Sequence, residues 1–287
     1  MKINESTYQL VEKVLSKYPI SWQKNYYQNK KNLIVVYEES EVKSVSADYN
    51  HEKNIITIYD SKEEFSAHEL FHMAFRDEDK VEKRITKKAI YSNGVSFENP
   101  ENEIIYLKGV TEGFAEFLSR YCKLSKGHTI EYFFIDLLIS IYGEEILEYP
   151  FQNDPMGFLM DNSFFDIVTF SKNLDCYYKS TEVIQIINAM RSELEQQMMN
   201  DEDAKNTILN CMEKNMESFN KSIIATFDSI IAEYVSSKEP RIKKELFIKK
   251  ASSFLINPDY AIAFSLNEHK FGVKKSLQKS IDSLKRW

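Results

Sequence analysis

The spacing of hydrophobic positions changes near residue 129 and predicts two kinds of structure. Before this point, β-branched and aromatic runs at residues 33–37 and Ile55–Tyr59 are typical of buried strands. Residues 8–15 instead carry apolar side chains at helical spacing. After residue 129, apolar residues recur every three or four positions, which predicts a helical second half. The predicted helices of that half are residues 130–142, 181–199, 203–236 (interrupted near Asn220) and 242–255.

Local signals place further elements in the first half. Ser61 with Glu64 three positions later forms a capping box, which predicts a helix starting at that serine. Asn-Gly in the middle of residues 89–97 predicts a β-hairpin. Helical spacing of apolar residues returns over residues 106–123. Strands and short helices followed by a run of helices predict an α+β fold that is mostly α.

Composition narrows the range of functions. With 43% hydrophobic and 28% charged residues among 287, the chain has the composition of a folded globular protein. Its 37 basic against 44 acidic residues give a net charge of −7, so we expect no nucleic-acid partner. The first residues have no apolar core of signal-peptide type, and no stretch of about 18 apolar residues occurs. We therefore expect a cytoplasmic protein without a membrane partner; the oligomeric state is left open.

The segment FSAHELFHMAF, residues 65–75, contains two histidines at helical spacing. His68 and His72 are four residues apart, so both project from the same helix face and can bind one zinc ion at about 2.0–2.1 Å. Glu69 lies about 100° around the helix, beside the metal but not on it. A carboxylate in that position can take a proton from water that zinc polarises. This pattern predicts a zinc site with its own general base.

A catalytic zinc site needs a third protein ligand and an open fourth position. Patterns that add a third histidine six residues after His72 are excluded, because that position holds Glu78. Glu112, on the helix predicted over residues 106–123, can supply an oxygen ligand instead. Gly113 and Ala115 lack bulk, so we expect them to let this helix approach the first one. Glu116 is one turn further on and can hydrogen-bond a liganding histidine.

HELFH followed forty residues later by TEGFAE resembles the gluzincins, the thermolysin-like and aminopeptidase-like branch of the zincin metallopeptidases. The resemblance covers about residues 33–123. It implies a zincin-like catalytic core with a small sheet, whose edge strand binds extended peptide; residues 55–59 are a candidate for that edge. It also implies one Zn²⁺ per chain. The roles it carries over are metal ligands for His68, His72 and Glu112, general base for Glu69, and support of a ligand for Glu116.

The family also uses a Tyr or His from beyond the third ligand to stabilise the oxyanion that forms during hydrolysis. Candidates in this chain are His128, Tyr177 and Tyr178. The resemblance implies a catalytic subdomain at residues 1–128. Residues 129–287 are then a helical subdomain that forms the other wall of the cleft.

The expected function is zinc-dependent hydrolysis of peptide bonds in a peptide or protein substrate. Two alternatives remain open: a non-catalytic zincin-like binding protein with a structural zinc, and a zinc amidohydrolase that acts on a non-peptide amide. A structural zinc is normally closed by four protein ligands, and such a site has no use for Glu69.

Overall fold

The computed structural model describes residues 3–39, 46–77, 83–85, 88–98, 105–124, 127, 129–160, 167–197, 202–256 and 272–287. Helices dominate this part of the chain and its strands all lie before residue 107, which confirms the α+β, mostly α class. The helices are α1 Glu5–Leu15, α2 Ile20–Lys31, α3 Ser66–Phe75, α4 Lys108–Tyr121, α5 Thr129–Tyr142, α6 Glu148–Gln152, α7 Pro155–Met160, α8 Ile167–Gln197, α9 Glu202–Ser236, α10 Lys244–Ile256 and α11 Val273–Arg286. The strands are β1 Ile34–Glu38, β2 Ala47–Asn50, β3 Ile55–Tyr59, β4 Lys83–Ile85, β5 Lys88–Asn93, β6 Ser96–Glu98 and β7 Ile105–Tyr106.

The strands β1, β3 and β2 lie side by side in that order. β3 is parallel to β1 and antiparallel to β2. Alternate residues Ile56 and Ile58 are fully buried, as expected for a strand with one face on the core. The prediction that residues 55–59 form the sheet edge is wrong, because β2 pairs with them on the side facing away from β1. β2 itself packs against α3.

The remaining strands form an antiparallel sheet in the order β4, β5, β6, β7. Asn93 pairs with Ser96, so the predicted hairpin is confirmed and Gly94 and Val95 are its two turn residues. Gly94 has φ +60°, a left-handed conformation that favours glycine. The turn is attached to α4, because Thr111 Oγ1 accepts the Val95 N–H at 3.2 Å and donates to the Asn93 carbonyl at 3.3 Å.

The start of α3 differs from the predicted capping box. Ser61 has φ +58° and lies in a turn after β3, outside any helix. A 3₁₀ turn over Glu63–Phe65 follows, and α3 begins only at Ser66 without a side-chain cap. The Ser66 hydroxyl instead donates to the Glu63 carbonyl at 2.6 Å. The capping-box prediction is therefore wrong, because the chain is still turning away from the sheet at the serine.

Gly113 permits a close helix contact, but the neighbour is α5 and not α3. A Cβ at this position would lie 2.5 Å from Cγ1 of Ile135 and 2.8 Å from the carbonyl oxygen of Glu131. The expectation that Gly113 clears space toward the first histidine helix is therefore wrong. The missing side chain allows α4 to pack tightly between α3 and α5.

The helical half is built on the long pair α8 and α9, of 31 and 35 residues. α9 is unbroken, so the predicted interruption is wrong: Asn220 lies inside the helix and is 1% exposed. The low helix propensity of Asn amounts to less than about 1 kcal/mol, which the buried neighbours Phe219 and Ile223 outweigh.

No helix in the described ranges is both long and apolar enough to cross a membrane. Buried apolar side chains from before and after residue 129 belong to one cluster, and the division at residues 128/129 stays a prediction.

We expect Gly113→Ala to destabilise the protein by about 2 kcal/mol, because overpacking at the α4–α5 contact exceeds the gain of about 1 kcal/mol that alanine normally brings to a helix. The measurement is urea denaturation followed by far-UV circular dichroism. Lys249→Ala on the exposed face of α10 is the control, with an expected change within about 0.5 kcal/mol. A stabilised Gly113→Ala protein would contradict the close contact.

Candidate metal centre

The two histidines of α3 meet on one buried face of that helix. Every residue of α3 is buried, including His68 at 4% and His72 at 5% exposure. Their rings are 4.7 Å apart between centroids in an edge-to-face arrangement. The two Nε2 atoms lie 2.9 Å from each other and point at the same place.

α4 brings Glu112 to this place. Its Oε2 lies 3.0 Å from Nε2 of His68 and 3.0 Å from Nε2 of His72. Three potential ligand atoms therefore form a small triangle. Ligand atoms around a tetrahedral zinc ion at about 2.0–2.1 Å are about 3.3 Å apart, so the triangle is close to the size that zinc needs.

The chemistry of the three atoms also fits a cation. A deprotonated imidazole nitrogen and a carboxylate oxygen each present a lone pair, and three such atoms facing one another repel unless a cation or protons lie between them. In the described part of the chain, His68, His72 and Glu112 are the metal-ligand group that comes together, and no fourth protein ligand joins them. The Glu112 side chain is 13% exposed, which leaves a way in from solvent. An open fourth position is the arrangement found in catalytic zinc sites.

Glu116 lies behind His68. Its Oε2 is 3.3 Å from Nδ1 of His68, and the residue is fully buried. Its other oxygen accepts from Nε of Arg120 at 2.8 Å, four residues on along α4. Burial lowers the pKa of His68, but the hydrogen bonds to Glu112 and Glu116 prevail and raise that pKa well above its usual value. The carboxylates on both sides thus fix the ring orientation and favour positive charge at its place.

Asn29 of α2 holds the other end of the histidine helix. Its Nδ2 donates to the carbonyls of Met73 and Arg76, at 2.9 and 2.8 Å, where α3 ends. Nη1 of Arg76 donates back to Oδ1 of Asn29 at 2.8 Å. The last carbonyls of a helix have no partner inside it, so this buried amide completes α3. It also fixes α3 against α2.

Glu69 is buried beside the triangle, at 7% exposure, and is not one of the converging atoms. Burial raises the pKa of its carboxyl, while positive charge on His68 and His72 would lower it. The charge of Asp48 on β2, the strand that packs on α3, also raises this pKa. Its carboxyl is therefore close enough to His68, His72 and Glu112 for their charges to act on it.

The structure describes two of the three oxyanion candidates. His128 lies outside the described residues. Tyr177 is 4% exposed and its ring packs on Phe219 at 4.7 Å between centroids, in the core of the helical half. Tyr178 faces α4: the ammonium group of Lys108 lies 4.7 Å from its ring centre. Burial, followed by the charge of Glu112, raises the pKa of Tyr178 well above its usual value. The charge of Glu112 thus relates Tyr178 to the centre, whereas the Tyr177 ring packs on α9.

Several neighbours of the centre escaped sequence reasoning. Arg120 could have been found, because it stands four residues after Glu116 on a predicted helix and such pairs face each other. Lys108 could have been found in the same way, because it stands four residues before Glu112 on that predicted helix. Asp48 could not, since its proximity to the site depends on how β2 packs on α3.

We expect the purified protein to bind one equivalent of zinc. Glu116→Gln is expected to weaken zinc binding about 10- to 100-fold, because it removes a carboxylate that orients a liganding histidine. Glu112→Gln should weaken it more, because a ligand oxygen becomes a neutral amide. Zinc affinity is measured by competition with a chromophoric chelator.

Glu145→Gln provides the matched control for this zinc experiment. The Glu145 side chain is 69% exposed and pairs with Arg241, outside the centre. Its zinc affinity should equal that of the wild type. A wild-type protein that binds no zinc would refute the centre.

Comparisons with known proteins identified no relative: no protein-family model, no curated protein and no solved structure matches this chain. The case for a metal centre therefore depends on the chain's own residues. These are two imidazoles and one carboxylate that converge in a buried place.

Proposed function

We propose that this protein is a zinc-dependent metallopeptidase that hydrolyses a peptide or protein substrate. One observation supports the proposal above all others: the converging atoms of His68, His72 and Glu112 have Glu69 buried beside them. A metal site built only to stabilise a fold does not require that adjacent carboxylate. A site built for hydrolysis requires a base at that position.

Zinc in this centre would be held by His68, His72 and Glu112, and it would supply Lewis-acid activation of a water molecule. Glu69 accepts the proton of the attacking water as the oxygen forms a bond to the peptide carbonyl carbon. The C–N bond then breaks, and Glu69 passes the proton to the leaving amine nitrogen. Proton and electron pair balance in this sequence, because the base returns to its ionised form at the end.

Glu116 and Arg120 hold His68 in the tautomer that can bind a metal through Nε2. The carboxylate behind Nδ1 favours the tautomer with a proton on that nitrogen, which leaves the lone pair on Nε2. The guanidinium of Arg120 prevents Glu116 from swinging away, at 2.8 Å from its other oxygen. The ring of Tyr132 supports that guanidinium in turn, 4.0 Å below it.

Tyr178 is proposed as the oxyanion donor. The charge of Glu112 acts on its hydroxyl, which relates this tyrosine to the candidate centre. Lys108, whose ammonium group lies 4.7 Å from the ring centre, is itself paired with Glu182 at 3.3 Å and holds this end of α8 against α4. Tyr178 comes from α8, so the helical half contributes to the site.

The location of strand β2 favours a peptide as the substrate. It packs on α3, and within the described residues it pairs with β3 along one edge only. A strand at the edge of a sheet can hydrogen-bond an extended peptide backbone. The Asp48 charge on this strand already acts on Glu69, so a peptide bound here would pass close to the general base.

We expect Glu69→Gln to bind zinc as the wild type does and to lose cleavage by about 10²- to 10⁴-fold, because an amide cannot accept the proton. The measurement is cleavage of a peptide library, read by mass spectrometry, together with zinc content. Glu64→Gln, an exposed residue just before α3, is the control and should retain full cleavage.

Each outcome of this assay separates the possible functions. Zinc binding without cleavage of any peptide by the wild type would contradict a peptidase. Hydrolysis of a non-peptide amide alone would identify an amidohydrolase. Equal cleavage by wild type and Glu69→Gln would exclude Glu69 as the base.

We expect Tyr178→Phe to lower kcat about 100-fold with little change in KM, because the hydroxyl acts when charge develops on the substrate. Tyr177→Phe removes the same atom one residue away, in the core beside Phe219, and should keep kcat within about threefold. Steady-state kinetics on one cleaved peptide compare the two variants. Equal effects of both changes would contradict a specific role for Tyr178.

A further inference from the structure

A buried carboxylate of the helical half is bonded to the beginning of α4. Asp175 lies on α8 and is 8% exposed. Its Oδ1 accepts the N–H of Gly109 at 3.0 Å and its Oδ2 accepts the N–H of Leu107. The mechanism proposed above makes no use of this group.

The beginning of α4 depends on a partner from elsewhere. The first amides of a helix have no acceptor inside it, and a side chain at the cap position normally supplies one. Here the cap position holds Leu107, which has no polar side-chain atom and makes no side-chain cap. Asp175 takes over this task from 68 residues away. Its negative charge also suits the positive end of the helix dipole.

The backbone at this junction is strained as well as capped. Leu107 has φ +62° and ψ 17°, a left-handed conformation that is unfavourable for a residue with a side chain. The backbone of α4 also approaches α8 closely at Gly109, where a Cβ would lie 3.1 Å from both Cγ and the carbonyl oxygen of Leu174. Two consecutive residues of α8 therefore hold both the path and the position of the first turn of α4.

This first turn determines where the third ligand lies. Glu112 follows Gly109 by three residues, about 4.5 Å along the helix axis. A rotation of α4 by one residue position is about 100°, which would turn the carboxylate away from the histidines. Its oxygen lies 3.0 Å from each Nε2. The anchoring turn must therefore control both the rotation and the height of α4.

We propose that Asp175 is a positioning residue for the metal centre, which anchors α4 from the helical half and so holds Glu112 against His68 and His72. The inference rests on the proposed zinc site. It means that the helical half affects metal affinity, although all three ligands lie in the first half of the chain. Asp175 acts through Glu112 and touches neither metal nor substrate.

The experiment is a double-mutant cycle on zinc affinity, measured on the full-length protein by chelator competition at fixed pH. Asp175→Ala is combined with the wild-type background and with Glu112→Gln. We expect Asp175→Ala to weaken zinc binding about tenfold in the wild-type background. In the Glu112→Gln background the loss should be less than about twofold, because interactions through a shared partner do not add.

Two further variants separate positioning from general stability. Asp175→Asn keeps one acceptor oxygen for the two amides, and its zinc affinity should lie between those of wild type and Asp175→Ala. It also serves in the cycle if the alanine variant fails to fold. Phe247→Leu, in the α9–α10 core, destabilises the fold away from the centre and should leave zinc affinity unchanged.

The outcomes are distinct. Unchanged zinc affinity in folded Asp175 variants would overturn the positioning role and leave the zinc site standing. Equal losses in the two backgrounds would overturn it too, because the effect would not pass through Glu112. A wild-type protein that binds no zinc would instead overturn the proposed function, and this inference with it.

Discussion

The close approach of α3 and α4 is the constraint on which the candidate centre depends. It holds two imidazole nitrogens and one carboxylate oxygen within about 3 Å of each other in a buried place. Lone pairs at that separation repel unless a cation or protons lie between them, so the surrounding fold must hold the helices together. Three other elements also hold α4 in place. α5 packs on Gly113, the β5–β6 turn bonds to Thr111, and α8 holds the first turn.

The buried negative charge around the centre also requires compensation. Glu69 lies on α3 between the two histidines, and Glu112 and Glu116 lie one turn apart on α4. Burial of ionised carboxylates is unfavourable without compensation. Arg120 compensates Glu116 directly. A divalent ion at the triangle would compensate the others, since a bound metal is the largest local charge in such a site.

Local sequence patterns predicted the parts of the site that lie on one helix. The shared helix face of His68 and His72 needs only the helical repeat, and the same repeat would have indicated the pairing of Glu116 with Arg120, which was not predicted. Patterns that involve a neighbour were less informative. Gly113 indicated a close contact but not that α5 makes it, and residues 55–59 indicated a strand but not that β2 covers its outer edge. The Ser61 capping box failed because a left-handed turn after β3 intervenes.

By itself the sequence determined the candidate chemistry: which residues offer metal-ligand atoms, which carboxylate stands beside them, and that helices carry them. These properties depend on residue type and on the 3.6-residue repeat, which a chain has wherever it packs. Only the tertiary structure decided that Glu112 reaches both histidines, that Tyr178 and not Tyr177 faces α4, and that Asp175 anchors the helix start. These contacts join residues 40 or more positions apart. Their geometry is set by how whole helices pack, which no local pattern encodes.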